Sequence, residues 1–139
     1  MTIHEIELEI IEEFALFDDW MQRYEHIIDL GKSLPMINTE FKTEDYIIKG
    51  CQSQVWLHAT AHNNVMSFTA DSDAIITKGL VALMIRVLNN QLANDVASAP
   101  LTFINQIGLT EHLSPTRANG LLAMVKQMKL YALNNSTVA

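Results

Sequence analysis

The stretch from about Ala74 to Leu92 constrains the fold most, because its apolar residues leave almost no polar face. Ile75, Ile76, Leu80, Val81, Leu83, Met84, Ile85, Val87 and Leu88 would cover most of the circumference of an α-helix. A helix that is apolar nearly all round belongs in the middle of a structure, with other elements packed about it. It is no membrane span, since its longest apolar run, Gly79 to Ile85, is short and bounded by Lys78 and Arg86. Asp71-Ser72-Asp73 offers a choice of caps for its start. The chain has 139 residues, 49% of them hydrophobic, which reads as one domain over 1–139 with a core able to fold alone.

The flanking segments supply what would surround that helix. Thr2 and Glu5 have the spacing of a capping box, and Ile3, Ile6, Ile10, Phe14 and Phe17 then recur at helical steps. Asp18 or Asp19 can cap a second helix carrying Trp20, Tyr24, Ile27 and Ile28, with Gly31 expected to close it and Pro35 beyond. A short β-prone segment, Tyr46-Ile47-Ile48, is expected within Phe41 to Lys49. Val55, Leu57 and Ala59 alternate with Trp56, His58 and Thr60, and Met66, Phe68 and Ala70 alternate with Ser67 and Thr69. The Asn-rich turn between these runs makes an antiparallel hairpin. One or two short helices are expected between Ala93 and Ile107, with Pro100 at a start. Ser114-Pro115 then begins a last helix to about Asn134, with Leu121, Val125, Met128 and Ala132 on one face. The fold class is α+β, helices packed on a small antiparallel sheet.

The net charge of −7, with nine scattered Lys and Arg residues, argues against a nucleic-acid partner. The N-terminal stretch is acidic (Glu5, Glu7, Glu9, Glu12, Glu13), unlike a signal peptide, so the expectation is a cytoplasmic protein. A single cysteine excludes an intramolecular disulfide and a cysteine-based zinc cluster.

Cys51 sits in Lys49-Gly50-Cys51-Gln52-Ser53, between two predicted strands. A free cysteine is more often a small buried hydrophobe, but the polar flanks are odd for a core position and Gly50 permits a tight turn, so a presented, reactive thiol stands as an equal alternative. Arg117 falls in the first turn of the last helix, where the macrodipole disfavours a cation. Its two readings are a surface arginine and an anion site suited to a thiolate or persulfide. Asp71 and Asp73 are better explained as caps than as a metal or acid–base pair. His58 and His62 have a spacing seen in zinc sites but lack further ligands. His112 could serve as base to Cys51 in a thiol hydrolase. The seven methionines read as core filler.

Four segments together resemble the SufE family of sulfur acceptors. They are Tyr24 to Pro35 (YEHIIDLGKSLP), Gly50 to Leu57 (GCQSQVWL), Ala70 to Leu80 (ADSDAIITKGL) and Leu109 to Leu121 (LTEHLSPTRANGL). The resemblance implies an α+β fold similar to the IscU scaffold, although the extra cysteines of a cluster scaffold are lacking. It implies that Cys51 is the acceptor, with Gly50 and Gln52 in its loop and Gln54, Trp56, Asp71, Asp73, His112 and Arg117 around the thiol. It also implies a SufS- or CsdA-like cysteine desulfurase as donor, an iron–sulfur scaffold as downstream acceptor, and no cofactor in this chain, because pyridoxal phosphate belongs to the desulfurase. Gln52-Ser53-Gln54 is more similar to SufE than to its paralogue CsdE. Pairing into a homodimer is left open. The alternatives are the Cys51/His112 hydrolase and a regulator that binds a desulfurase without covalent chemistry. A carrier also gains from covering its persulfide, and Val55, Trp56 and Leu57 are the expected cover.

Overall fold

The computed structural model describes residues 1–135. Helix α1 (Ile3–Phe14) opens with the reciprocal cap, Glu5 N–H to Thr2 Oγ1 at 3.2 Å and Thr2 N–H to Glu5 Oε1 at 3.0 Å. Asp19 caps α2 (Trp20–Lys32) by accepting the Gln22 N–H at 2.9 Å. Gly31 does not close α2. It is helical and buried, and Ser33 caps the end. Its size serves helix packing instead. A Cβ at Gly31 would lie 2.7 Å from Gly79 N, and one at Gly79 only 2.1 Å from the Ile27 carbonyl oxygen. The two backbones meet there with no room for a methyl.

The β-prone segment before Cys51 is mostly not a strand. Two 3-10 turns, Thr39–Phe41 and Glu44–Tyr46, occupy it, and only Ile47 bridges to Trp56. Its aromatic residues lie against the next strand: the Phe41 ring stacks on His58 at 3.6 Å between centroids, with Tyr46 edge-on to both. The hairpin forms as expected from β1 (Val55–His62) and β2 (Val65–Ser72), in register from Val55↔Ser72 to His62↔Val65. Asn63 and Asn64 turn it with φ of 52° and 67°, the left-handed pair that a two-residue type I′ turn demands.

The central helix α3 (Ile75–Leu88) packs on β2, α1 and α2 and buries Ile76, Leu80, Leu83, Met84 and Val87. It stops short of Leu92 because Asn89 is extended and Asn90 has φ 61°. Those residues turn the chain into β3 (Gln91–Leu92), which pairs antiparallel with the start of β2. The sheet order is β1-β2-β3. Short helices α4 (Ala93–Ser98), α5 (Phe103–Gln106) and α6 (Leu109–His112) follow. Pro100 starts none of them but lies in the bend between α4 and α5. Ser114 does cap the last helix, α7 (Pro115–Asn135), its Oγ accepting the Arg117 N–H at 3.3 Å. That helix buries Leu121, Met124, Met128 and Ala132 against α3 and α4, whereas Val125 is half-buried. The architecture is α+β. Among the described residues no helix is long and apolar enough to cross a membrane.

Candidate functional site

Cys51 occupies a short loop whose ends are held on both sides. Ile48 N–H bonds the Val55 carbonyl at 2.8 Å, closing the loop, and Gly50 just before the cysteine has φ 94°. Residues with a Cβ rarely adopt that conformation, so Gly50 is what lets the chain reverse here. Gln54, at the far end, has both backbone groups occupied by the β2–α3 junction. Its N–H goes to Asp73 Oδ1 at 3.0 Å, and its carbonyl accepts from Ser72 Oγ at 2.9 Å and Asp73 N–H at 3.2 Å. Asp73 therefore ties down the loop and does not cap α3. The N-cap position is Ala74, and it is Ser72 Oγ that accepts the Ala74 N–H.

The thiol faces α7. Its Sγ donates to the Gly120 carbonyl at 3.5 Å and is half-buried in a cleft of about 120 Å³ between the start of α3 and the first turns of α7. Ile76 and Leu80 line it from α3, and Arg117, Leu121 and Met124 from α7, with Gln52 and Ser53 from the loop itself. Cover thus comes from two helices. The expected cover, Val55, Trp56 and Leu57, is buried in β1 instead and does not line the cleft. Burial pushes the Cys51 thiol above its ordinary value. Donation to a carbonyl acts in the same direction, because it favours the neutral S–H.

Arg117 lines this cleft, and its guanidinium carbon lies 5.9 Å over the Tyr24 ring. In this conformation burial and the Gly120 carbonyl both favour the neutral thiol over the thiolate. His112 is not brought to Cys51: it lies outside the cleft, its ring stacked on Trp20 at 4.7 Å. A Cys51/His112 hydrolase has no support in that placement. Gln52 is in the cleft wall, while the Gln54 side chain is exposed. Trp56 is buried, with Lys42 Nζ 5.0 Å over its ring.

Asp71 ends up in β2, opposite Trp56, and is buried. Lys42 and Lys78 each approach its carboxylate at 3.3 Å, and the Ser72 N–H bonds it at 2.8 Å. Burial alone would raise this carboxyl, but the Ser72 N–H and the two ammonium groups outweigh it and hold Asp71 below the usual carboxylate range. The site residues missed by sequence reasoning are the helical cleft walls beyond Arg117: Ile76 and Leu80 of α3, and Gly120, Leu121 and Met124 of α7. Arg117, Gly120, Leu121 and Met124 recur at helical steps of three and four on α7, a pattern present in the sequence once Arg117 is singled out.

Residues 8–132 match the Fe-S metabolism associated domain, SufE. The chain belongs to the SufE family. It is 40% identical over 126 residues to an uncharacterized SufE-like protein of Rhizobium meliloti (strain 1021), covering 87% of this chain and 90% of that one. It is 37% identical over 128 residues to SufE-like protein 1, chloroplastic/mitochondrial, of Arabidopsis thaliana, covering 91% of this chain but 34% of that longer protein. Among solved structures, a hypothetical protein from Thermus thermophilus shares the fold with a TM-score of 0.77 at 18% identity, over 94% of this chain and 95% of that one. Membership of the family places the protein in iron–sulfur metabolism.

Proposed function

We propose that the protein is a sulfur acceptor that takes sulfane sulfur from a cysteine desulfurase onto Cys51 and hands it to iron–sulfur assembly. The observation that supports it best is the position of Cys51: the chain's one thiol, on a glycine-reversed loop, laid in a small cleft lined by both apolar and polar side chains. In the transfer, the Cys51 thiolate attacks the outer sulfur of the donor's persulfide. The donor's S–S bond breaks, a new S–S bond forms on Cys51, and the donor cysteine leaves as a thiolate. The step is redox-neutral, and the proton given up by Cys51 is available to the departing thiolate. A pyridoxal-phosphate desulfurase, SufS- or CsdA-like, generates the persulfide, so this chain requires no cofactor, and an iron–sulfur scaffold receives the sulfur afterwards. The cytoplasm, where thiols are kept reduced, is the compartment this chemistry suits.

The raised pKa gives the resting state a role. Attack needs the thiolate, so a covered, protonated Cys51 is quiet until its loop leaves the cleft for the donor. The test is the intact mass after incubation with an active desulfurase and L-cysteine. Wild type should gain one or more sulfur atoms, removed by reductant, whereas Cys51→Ser should bind the desulfurase and gain none. An unchanged wild-type mass beside a demonstrably active desulfurase overturns the acceptor reading and leaves the non-covalent regulator.

A further inference from the structure

The outer edge of the sheet is open where the β-prone segment before Cys51 fails to cover it. The Val55 carbonyl points away from β2, since it accepts the Ile48 N–H at 2.8 Å. Backbone direction repeats at every second residue of a strand, so Ala59 and Ala61 also turn their N–H and C=O groups outward. Their opposite residues on β2 agree. Phe68, across from Ala59, gives its N–H to Asn89 Oδ1 at 2.8 Å, and the Met66 carbonyl, across from Ala61, accepts the Asn90 N–H at 2.8 Å. Among the described residues β1 has one outer neighbour, Ile47 at Trp56, because the chain leaves the edge in the 3-10 turn Glu44–Tyr46. Nothing in the strand guards the rest. β1 reads VWLHATAH, without a charged residue or a proline, and Ala59 is half-buried and Ala61 exposed.

The same side of the molecule carries apolar surface. Ile47 belongs both to the edge and to a groove of about 460 Å³, whose other apolar walls include Ile48, Leu130 and Tyr131. Leu130 is 41% exposed. We infer that this edge pairs with β1 of a second copy of the chain. Antiparallel pairing of a strand with its own copy is isologous, so whatever one edge offers the other accepts. A register centred on Thr60 lets Ala59 of one copy exchange both backbone bonds with the partner's Ala61, and the twofold repeats the exchange. The partner's strand then gives way to its Asn63-Asn64 turn where Ile47 takes up the edge at Trp56. Charge permits the match. The strand brings none to the seam, and the groove wall carries two lysines, Lys49 and Lys126, against one carboxylate, Asp45. Two chains of net charge −7 therefore meet here without setting acid against acid. The pairing also leaves Cys51 free, because α7 turns different faces to the two places. Ala123, Lys126 and Leu130 line the groove, and Gly120, Leu121 and Met124 line the thiol cleft.

The experiment is sedimentation of the full chain from micromolar to near-millimolar concentration, with amide hydrogen exchange followed by NMR over the same range. The mass should rise from 15.6 kDa toward twice that value, and the Ala59 and Ala61 amides should gain protection as it does. Ala61→Lys puts a charge on the exposed edge, the means by which natural edge strands are kept apart, and Leu130→Gln removes apolar surface without touching the strand. Ala61→Lys should raise the dissociation constant about tenfold or more, and Leu130→Gln by a smaller factor. Melting temperature and iodoacetamide alkylation of Cys51 should stay at wild-type values in both. If Ala61→Lys folds poorly, the exchange of the wild-type amides decides. A mass of 15.6 kDa at every concentration overturns the pairing. So does a dimer in which the Ala59 and Ala61 amides exchange as fast as in dilute solution, because it joins by another face.

Discussion

Replacing Gly120 by Ala separates the stability of α7 from the release of Cys51. The position is interior to α7, and the new Cβ would stand 3.6 Å from Cys51 Sγ and 3.9 Å from its Cα and Cβ, ordinary contact distances. There is no clash, so the change should remove the helical penalty of glycine, about 0.8–1 kcal/mol. With an unfolding entropy of about 2.1 cal/mol/K per residue, that raises Tm by roughly 3 °C. The same methyl holds the loop in place. Carbon and sulfur neighbours at these distances each contribute about 0.1–0.2 kcal/mol, and three such contacts exist only while Cys51 is docked. The docked loop is then favoured by about half a kcal/mol, which cuts the undocked population roughly twofold. Iodoacetamide alkylation of Cys51 under native conditions, read by intact mass, should slow by about that factor, and sulfur uptake from a desulfurase should slow with it. A variant that melts higher but reacts as fast as wild type, or faster, would refute the idea that reactivity requires leaving the cleft.

Arg117→Ala should leave stability within about 0.5 kcal/mol of wild type, because losing the contact with Tyr24 is offset by removing a cation from a helix N-terminus. Single-turnover transfer to Cys51 should nevertheless slow, and a variant that transfers at the wild-type rate removes Arg117 from the site. Asp71→Asn should cost about 1–3 kcal/mol at neutral pH by stripping Lys42 and Lys78 of their common partner. The Asp71 carboxyl is held below its ordinary value, so its contribution is complete above the unfolded pKa near 4 and fades as pH falls through the lower folded one. Denaturant melts should show the gap between wild type and variant narrowing below about pH 4. A gap that widens in acid contradicts the assignment.

Periodic elements are legible in the sequence because one rule decides each of them. The Thr2–Glu5 box, the Ser114-Pro115 start and the hairpin round Asn63-Asn64 are all local, and all three form. The failures occur where a distant contact overrides local preference. Tyr46-Ile47-Ile48 is β-prone, yet Phe41 and Tyr46 pack on His58 of the neighbouring strand β1 with the segment in 3-10 turns. Gly31 stands near the end of its helix, where glycine usually ends one, but its partner is Gly79, far along the chain, and no local pattern reveals such a crossing. Likewise Asp71-Ser72-Asp73 before a helix is a cap signal, and Asp71 becomes an ion-pair centre only because Lys42 arrives from the other side of the hairpin.

The site shows the same division, and it also exposes two expectations that cannot hold in one conformation. Sequence reasoning asks both cover and activation of Cys51. A thiol packed among Ile76, Leu80, Leu121 and Met124 and bonded to the Gly120 carbonyl has lost the solvation a thiolate needs, so burial raises its pKa. Arg117 could lower it only by facing the sulfur as an anion, and in this state it lies over Tyr24. On the acceptor reading the two roles therefore belong to two positions of the loop, protected inside and nucleophilic outside. Gly50 is the place where the chain can turn between them, since its φ of 94° is already a conformation that residues with a Cβ rarely adopt. The Gln54 end has no such freedom, because Ser72 and Asp73 hold its N–H and its carbonyl together. On that reading Cys51 turns about Gly50, directly before it, while Gln54 stays fastened.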